Sequence, residues 1–303
     1  MFWDEMGRRL EKVLEGSGAR QKEIIIWGYY CEIGEFLYDY LKKRGGYQVS
    51  IIDKNDTSEG IQRAEFLKTK DPAGVIIFLC MKDTEEPEML CKEIGALKDQ
   101  HYFDVREVLF DDNKGQSLNF LIWMEEKYGC DFLVNKRNES FECAEYTPSP
   151  YMTIKEIVSS LPLKSDDAIF DYGMGKGAAL VQFYEYGFRN LGGVERDQEL
   201  CTIAKDNFDR LKISDIEICC ADAREITEID RYNYFYFYNP FSGSVFQKVI
   251  DNIKDSYMRN HRRIRIIYIN TVCHDMILDS GIFQIEKQIE TKHWYPMVNI
   301  YMT

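Results

Sequence analysis

The sequence predicts an α/β protein with two domains, and two observations support this. Short apolar segments of strand length alternate with segments of helical periodicity in both halves of the chain. Glycines and acidic residues directly follow several of the apolar segments, where a parallel sheet has its ligand-binding edge. The chain has 303 residues, of which 45% are hydrophobic, so both halves have enough apolar residues to form a core.

In the first half, four apolar segments are predicted strands, and helical segments separate them. The predicted strands are residues 22–27, 48–52, 74–80 and 105–110. The predicted helices are residues 1–16, a helix that ends near Lys43 before Gly45 and Gly46, and residues 86–97. This alternation predicts a small parallel sheet.

The glycine loop after the first strand is degraded. Gly28 and Gly34 enclose two tyrosines, and the central glycine of a dinucleotide-binding loop is missing. This half resembles the small Rossmann-like domains that precede sugar-modifying enzymes of bacterial surface-polysaccharide pathways. Asp53, after the second strand, is a candidate ribose ligand. We favour the alternative, a domain that binds no nucleotide tightly and serves substrate recruitment or dimerisation.

The second half begins with the most informative segment, Ile-Phe-Asp-Tyr-Gly-Met-Gly-Lys-Gly at residues 169–177. It predicts a buried strand, a tight turn with Gly173, Gly175 and Gly177, and a helix from Ala178. Glycines allow positive φ and a close approach of ligand to backbone. The free N–H groups of the helix N-terminus suit an anionic or carboxylate-bearing ligand. Taken alone, such a turn is also typical of a simple strand-to-helix connection.

Polar residues follow the next three predicted strands. Glu195 ends a strand at residues 191–195, and it lies at the distance from the glycine turn at which a nucleotide-binding unit has its ribose carboxylate. Asp222 and Ala223 follow a strand at residues 216–219. Asn239-Pro240-Phe241 follows a strand at residues 234–238. Because parallel strands end at one edge of the sheet, we expect these groups to lie together.

On these motifs, residues 145–303 resemble a class I S-adenosylmethionine-dependent methyltransferase. The resemblance implies a second Rossmann-like domain with a seven-stranded sheet. Its fifth strand would be residues 264–270, and apolar segments at 283–285 and 298–302 would form the terminal antiparallel hairpin. Residues 145–151, Glu-Tyr-Thr-Pro-Ser-Pro-Tyr, resemble the cofactor-covering segment of some members, including those that resemble histone-lysine methyltransferases.

The resemblance also implies roles for the site residues, with S-adenosyl-L-methionine as the cofactor. The turn of Gly173, Gly175 and Gly177 would hold the methionine part, with Asp171 near its ammonium. Glu195 would bind the ribose hydroxyls, and Asp222 with Ala223 the adenine. Asn239 would lie beside the transferred methyl group. The candidate catalytic residues are Asn239, Phe241 and His293, with Tyr295 and His274 as further candidate bases.

One departure from the family pattern and two rival motifs bear on this interpretation. Families that methylate a planar amino nitrogen usually carry two prolines after the Asn, whereas this chain has one, which weakens the case for an adenine or glutamine acceptor. Lys176 suggests a phosphate-binding loop, but Gly177 follows it instead of Ser or Thr. A nicotinamide dehydrogenase would space its last two glycines differently and would leave Asp222 and Asn239 unexplained.

We expect residues 1–115 to form the first domain, 116–150 a linker with the covering segment, and 151–303 the methyltransferase domain. No apolar run approaches the length of a membrane span, and we expect no signal peptide. The nine scattered cysteines lack a Cys-x-x-Cys pair, and the four histidines lack ligand spacing, so we expect a reducing cytoplasm and no metal.

The net charge of −13 disfavours a nucleic-acid partner. The amphipathic first helix carries charges of both signs, which favours a packed or dimerising helix, and hence a homo-oligomer, over a membrane anchor. The leading hypothesis is methyl transfer to an oxygen or nitrogen of a small-molecule or glycan-precursor acceptor. The alternatives are a lysine-type protein methyltransferase and a non-catalytic nucleotide-binding scaffold.

Overall fold

The structure is a computed structural model that describes residues 2–29, 31–54, 60–81, 83–109, 120–133, 146–291 and 297–303. The chain divides into two compact units, Met1–Lys127 and Tyr128–Thr303. Among the described residues, no helix has both the length and the apolar character that crossing a bilayer requires.

The N-terminal unit contains a five-stranded, all-parallel sheet with the order β3-β2-β1-β4-β5. Its strands are β1 (Glu23–Trp27), β2 (Gln48–Ile52), β3 (Ile61–Gln62), β4 (Val75–Leu79) and β5 (Tyr102–Asp104). Its helices are α1 (Phe2–Gly16), α2 (Glu32–Arg44), α3 (Glu85–Glu93), α4 (Val105–Leu109) and α5 (Phe120–Tyr128), the last of which crosses the boundary between the units. All five residues of β4 are buried, as a central parallel strand requires.

One predicted element of this unit is wrong. Residues 105–110 were expected to be the fourth strand, but the structure has strand β5 just before them and helix α4 over Val105–Leu109. The reason is local, because the Asp104 carboxylate accepts a hydrogen bond from the Arg106 backbone N–H at 2.9 Å. This side-chain cap ends the strand and starts the helical turn. The two-residue strand β3 was not predicted.

The C-terminal unit contains a seven-stranded sheet with the order β11-β12-β10-β9-β6-β7-β8. Its strands are β6 (Ala168–Tyr172), β7 (Asn190–Glu195), β8 (Ile216–Cys220), β9 (Tyr234–Tyr238), β10 (Arg265–Ile269), β11 (Gln284–Glu290) and β12 (Met297–Met302). Its helices are α6 (Tyr151–Ser159), α7 (Ala178–Glu185), α8 (Gln198–Leu211), α9 (Gly243–Arg259) and α10 (His274–Asp279).

Strands β6 to β10 are parallel, and β12 pairs antiparallel with both β10 and β11. The predicted fold class is therefore confirmed: two Rossmann-like α/β units, of which the second has a seven-stranded mixed sheet with a terminal antiparallel hairpin. Buried aromatic residues dominate its core, among them Phe170, Tyr172, Phe237 and Tyr268. This core fixes β6 and β9 side by side, so the residues after both strands meet at one sheet edge.

Candidate functional site

The glycine turn after β6 is held tightly against the neighbouring strand. The backbone N–H groups of Gly173 and Met174 both donate to the Val194 carbonyl oxygen, at 2.9 and 3.0 Å. Gly175 has φ +52°, and a Cβ atom there would lie 2.3 Å from the ring of Tyr146. Position 175 therefore requires glycine for both its backbone conformation and its contact with Tyr146.

A cavity of about 450 Å³ opens at this edge of the sheet. Of the predicted site residues, its lining includes Asp171, Gly173, Gly175, Glu195, Asp222, Ala223 and Phe241. Thus the structure brings together the residues that follow four different strands. Gly177 does not line the cavity. A Cβ atom there would lie 2.4 Å from the Phe208 ring, so this glycine lets α7 pack closely against α8.

Asp171 is the most unusual group of the cavity. It is only 3% exposed, and its carboxylate has no hydrogen-bond partner among the residues that the structure describes. Burial, together with the negative charge of Glu195, raises the pKa of Asp171 well above its ordinary value. A cationic ligand group in the cavity would stabilise the ionised form of this carboxylate.

Glu195, at the end of β7, is held by backbone amides on both sides. Its Oε2 accepts from the Gly175 N–H at 3.1 Å, and its Oε1 accepts from the Asp197 N–H at 2.9 Å. A carboxylate can accept about four hydrogen bonds, so each oxygen retains capacity for a further donor. The carboxylate is thereby oriented and still able to bind two hydroxyl groups.

Asp222 follows β8 and is hydrogen-bonded to Arg224, which also lines the cavity. Its carboxylate accepts from the Arg224 backbone N–H at 2.9 Å, from Nε at 3.0 Å and from Nη2 at 2.7 Å. These hydrogen bonds to Arg224 lower the pKa of Asp222, and the charge of Arg196 adds to the effect. Asp222 is therefore kept ionised, as a hydrogen-bond acceptor only.

The Asn-Pro-Phe segment after β9 reaches the cavity through some of its residues. Tyr238, Pro240 and Phe241 line the cavity, whereas Asn239 does not. Asn239 has the left-handed φ of +45°, which is uncommon for a residue other than glycine. Phe241 is 7% exposed and packs edge-to-face against Tyr172, with ring centroids 6.4 Å apart. Phe241 is therefore part of the core as well as of the cavity wall.

Several lining residues were not predicted from the sequence. The Tyr236 O–H donates to the Ser149 Oγ at 2.8 Å, and both residues line the cavity. Burial raises the pKa of Tyr236 well above its ordinary value, so it remains a neutral donor. The available signal was the period-2 pattern of β9, which has Tyr236 on the same face as Tyr238. Arg196 and Arg224 were missed because nothing local marks them.

The candidate bases are not part of the described cavity. His293 and Tyr295 lie outside the residues that the structure describes. His274 contacts the Tyr301 hydroxyl through Nδ1 at 2.7 Å and does not line the cavity. Within the described ranges, no group of three or more His, Cys, Asp or Glu side chains is arranged to hold a metal ion, and every cysteine is a free thiol.

No family model and no curated protein matches the chain. Solved structures of low similarity do match, and several of them have the names of methyltransferases. The ribosomal protein L11 methylase of Lactobacillus delbrueckii subsp. bulgaricus is 14% identical, covers 50% of this chain and 75% of its own, and has a TM-score of 0.38. A precorrin-6y C5,15-methyltransferase of Geobacter metallireducens is 15% identical over 54% and 91%, with a TM-score of 0.40.

A SAM-dependent methyltransferase of Aquifex aeolicus is 13% identical to the chain. It covers 49% of this chain and 88% of its own, with a TM-score of 0.40. At these identities and TM-scores, the similarity concerns the fold only and says nothing of the activity or the substrate. Evidence for the function therefore comes from the residues of the cavity.

Proposed function

We propose that the C-terminal unit binds S-adenosylmethionine and transfers its methyl group to an acceptor. The observation that carries the proposal is Asp171, a buried carboxylate that lines the cavity without a hydrogen-bond donor. The α-ammonium of the methionine part supplies the positive charge and the donors that this carboxylate lacks. The volume of about 450 Å³ lies in the range of small-molecule sites.

The other strand-end residues fit the remaining parts of this cofactor. Glu195 is oriented by two amides and retains acceptor capacity for both ribose hydroxyls. Asp222, ionised beside Arg224, accepts from the adenine amino group, and the neighbouring Ala223 also lines the cavity. The turn at Gly173 and Gly175 lets the cofactor approach the backbone.

The cofactor supplies a methyl group that its sulfonium already activates. The protein therefore has to align the acceptor and to exclude competing water. Tyr238 and Phe241 offer apolar ring surface on the cavity wall, and Asn239 lies between two lining residues, Tyr238 and Pro240. We propose that Asn239 orients an N–H or O–H group of the acceptor and that Phe241 packs against that acceptor. His293 remains a candidate base.

For the acceptor we propose an oxygen or nitrogen of a small molecule or glycan precursor. The net charge of −13 supports a neutral or cationic acceptor over a polyanion such as nucleic acid. The same charge would favour a basic protein, which keeps lysine-type protein methylation as the second candidate. Incubation with tritiated cofactor separates the two candidates, since label would enter either low-molecular-weight glycan precursors or a basic protein substrate.

Calorimetric titration with S-adenosylmethionine, and separately with NAD, tests the proposal. We expect one site per chain for S-adenosylmethionine with micromolar affinity, and an affinity at least tenfold lower for Glu195→Gln, which weakens two hydroxyl contacts. Asp53→Asn is the matched control, because it changes the acid after the second strand of the other sheet. Absence of heat with S-adenosylmethionine, or binding of NAD alone, would refute the proposal. A non-catalytic nucleotide-binding scaffold would bind ligand without transferring the tritiated methyl group to any acceptor.

A further inference from the structure

Lys176 lies within the glycine turn but does not take part in the cavity. The residue is 2% exposed, and Gly175 lines the cavity while Lys176 does not. A buried ammonium is costly unless it is paired, and the partner here is the Asp131 carboxylate. The ammonium therefore points to a role within the protein and not to a phosphate ligand.

The same ammonium lies against Tyr146, which lines the cavity. The Nζ atom is 5.5 Å from the centroid of the Tyr146 ring, a distance typical of a cation–π contact. The Tyr146 O–H donates to the Phe132 carbonyl oxygen at 2.7 Å. The ring lies directly over Gly175, where no side chain would fit. Tyr146 and the next three residues, through Ser149, all line the cavity.

Asn207, a buried residue of α8, joins Asp131 to the glycine turn. Its Oδ1 accepts from the Asp131 backbone N–H at 2.8 Å. Its Nδ2 donates to the carbonyl oxygens of Asp131 at 2.9 Å and of Lys176 at 3.1 Å. Asp131, Tyr146, Lys176 and Asn207 thus form one connected cluster, which we call the turn clamp.

We propose that Lys176 is a positioning residue: through Asp131 and the Tyr146 ring, it holds the segment Tyr146–Ser149 over the cavity and thereby slows the release of the bound cofactor. This inference rests on the proposed function and adds a role that the glycine motif alone does not give. Of the turn clamp, only Tyr146 lines the cavity. Loss of Lys176 should therefore leave the cofactor contacts of Asp171 and Glu195 in place. It should make the segment Tyr146–Ser149 more mobile over the cavity.

Lys176→Met is the appropriate variant, because it keeps the length of the side chain and removes the charge. The Asp131 side chain that remains is 45% exposed, so water can solvate its carboxylate and the fold should persist. Lys248→Met is the matched control, since Lys248 is an exposed lysine of α9 that does not line the cavity.

The test is a chase experiment, in which tritiated S-adenosylmethionine is bound and then displaced by an excess of unlabelled cofactor. We expect Lys176→Met to dissociate about tenfold faster, the equivalent of one cation–π and ion-pair contact, with an association rate within about twofold of the wild type. Lys248→Met should match the wild type. Tyr146→Phe, which keeps the ring and loses only the hydrogen bond to Phe132, should accelerate release by about threefold.

Two outcomes would overturn the inference, and they are distinguishable. If the wild-type protein binds the cofactor and both Lys176→Met and Tyr146→Phe release it at the wild-type rate, the positioning role is wrong while the proposed function stands. If the wild-type protein does not bind the cofactor, both fail. Should Lys176→Met not fold, Asp131→Asn decides instead, because it removes the charge partner of Lys176 at a half-exposed position, and release at the wild-type rate would then overturn the positioning role.

Discussion

In both units the first strand of the sheet, β1 or β6, lies between two parallel neighbours, but the glycines that follow these strands have different surroundings. In the N-terminal unit, a Cβ atom at Gly28 would lie 2.8 Å from the Cys80 carbonyl oxygen, and one at Gly34 would lie 2.6 Å from the Tyr29 carbonyl oxygen. In the C-terminal unit, the corresponding atom at Gly175 would meet the ring of Tyr146, which lines a cavity.

The difference shows that glycine can be required after a strand for more than one physical reason. Gly28 and Gly34 are explained by close packing of backbone on backbone, which needs no ligand. Gly175 also donates its N–H to the strand-end carboxylate of Glu195. Asp53, which follows the second strand of the N-terminal sheet, is buried. We therefore propose that the N-terminal unit binds no nucleotide tightly and serves substrate recruitment or dimerisation.

The largest effect should come from the paired substitutions Gly175→Ala and Gly28→Ala. The first introduces a Cβ atom at positive φ into the Tyr146 ring, so we expect cofactor affinity to fall at least about a hundredfold. The second should lower the thermal stability of the N-terminal unit and leave the affinity unchanged. Calorimetry measures the affinity, and thermal unfolding measures the stability. A loss of cofactor affinity in Gly28→Ala would contradict the proposed difference between the two units.

A medium effect is expected from Asp171→Asn, which should stabilise the unliganded protein. Because the folded-state pKa of Asp171 is raised, its contribution to stability is greatest below the ordinary carboxyl pKa and is lost as pH rises through the shifted value. A neutral amide avoids this loss, so we expect the free energy of unfolding at neutral pH to rise. Cofactor affinity should fall about tenfold, since a charge-assisted hydrogen bond is lost.

Denaturant unfolding at neutral and at acidic pH checks this prediction. The gain in stability should shrink as the pH falls, because the wild-type carboxyl group then becomes neutral as well. A variant that is less stable than the wild type at neutral pH, or that binds the cofactor equally well, would show that Asp171 is satisfied in the unliganded protein.

The smallest effect is expected from Arg224→Gln. Hydrogen bonds from Arg224 lower the pKa of Asp222, so the carboxylate stays ionised to a lower pH. At neutral pH the affinity should change by less than about threefold, because the Arg224 side chain is 48% exposed and solvent screens the pair. As the pH falls, the variant should lose affinity earlier than the wild type, although Arg196 still faces Asp222. Identical pH profiles in calorimetric titrations would exclude this role for Arg224.

Local signals sufficed for much of the C-terminal unit. The predicted bounds of β9 agree with the structure, because a continuous run of aromatic residues is a strong strand pattern. The gathering of Asp171, Glu195 and Asp222 at one cavity also followed, since parallel strands end at one edge.

What the sequence did not reveal depends on contacts between distant residues. Tyr236 and Ser149 are 87 positions apart, and Lys176 and Asp131 are 45 apart, so no local pattern marks either pair. The sequence around Lys176 suggested only a phosphate-binding loop, which the next residue, Gly177, excludes. The burial of Lys176 is visible only in the folded structure. The error at residues 105–110 has the opposite origin, a single capping side chain, Asp104, that overrides the apolar pattern.

The most direct test of the central claim is a crystal structure of the protein with saturating S-adenosylhomocysteine. We expect one ligand per chain, in the C-terminal unit, with its α-ammonium within hydrogen-bond distance of Asp171. Its ribose hydroxyls should donate to Glu195 and its adenine amino group to Asp222. A ligand bound in the N-terminal unit, or a cavity that stays empty at saturating concentration, would contradict it.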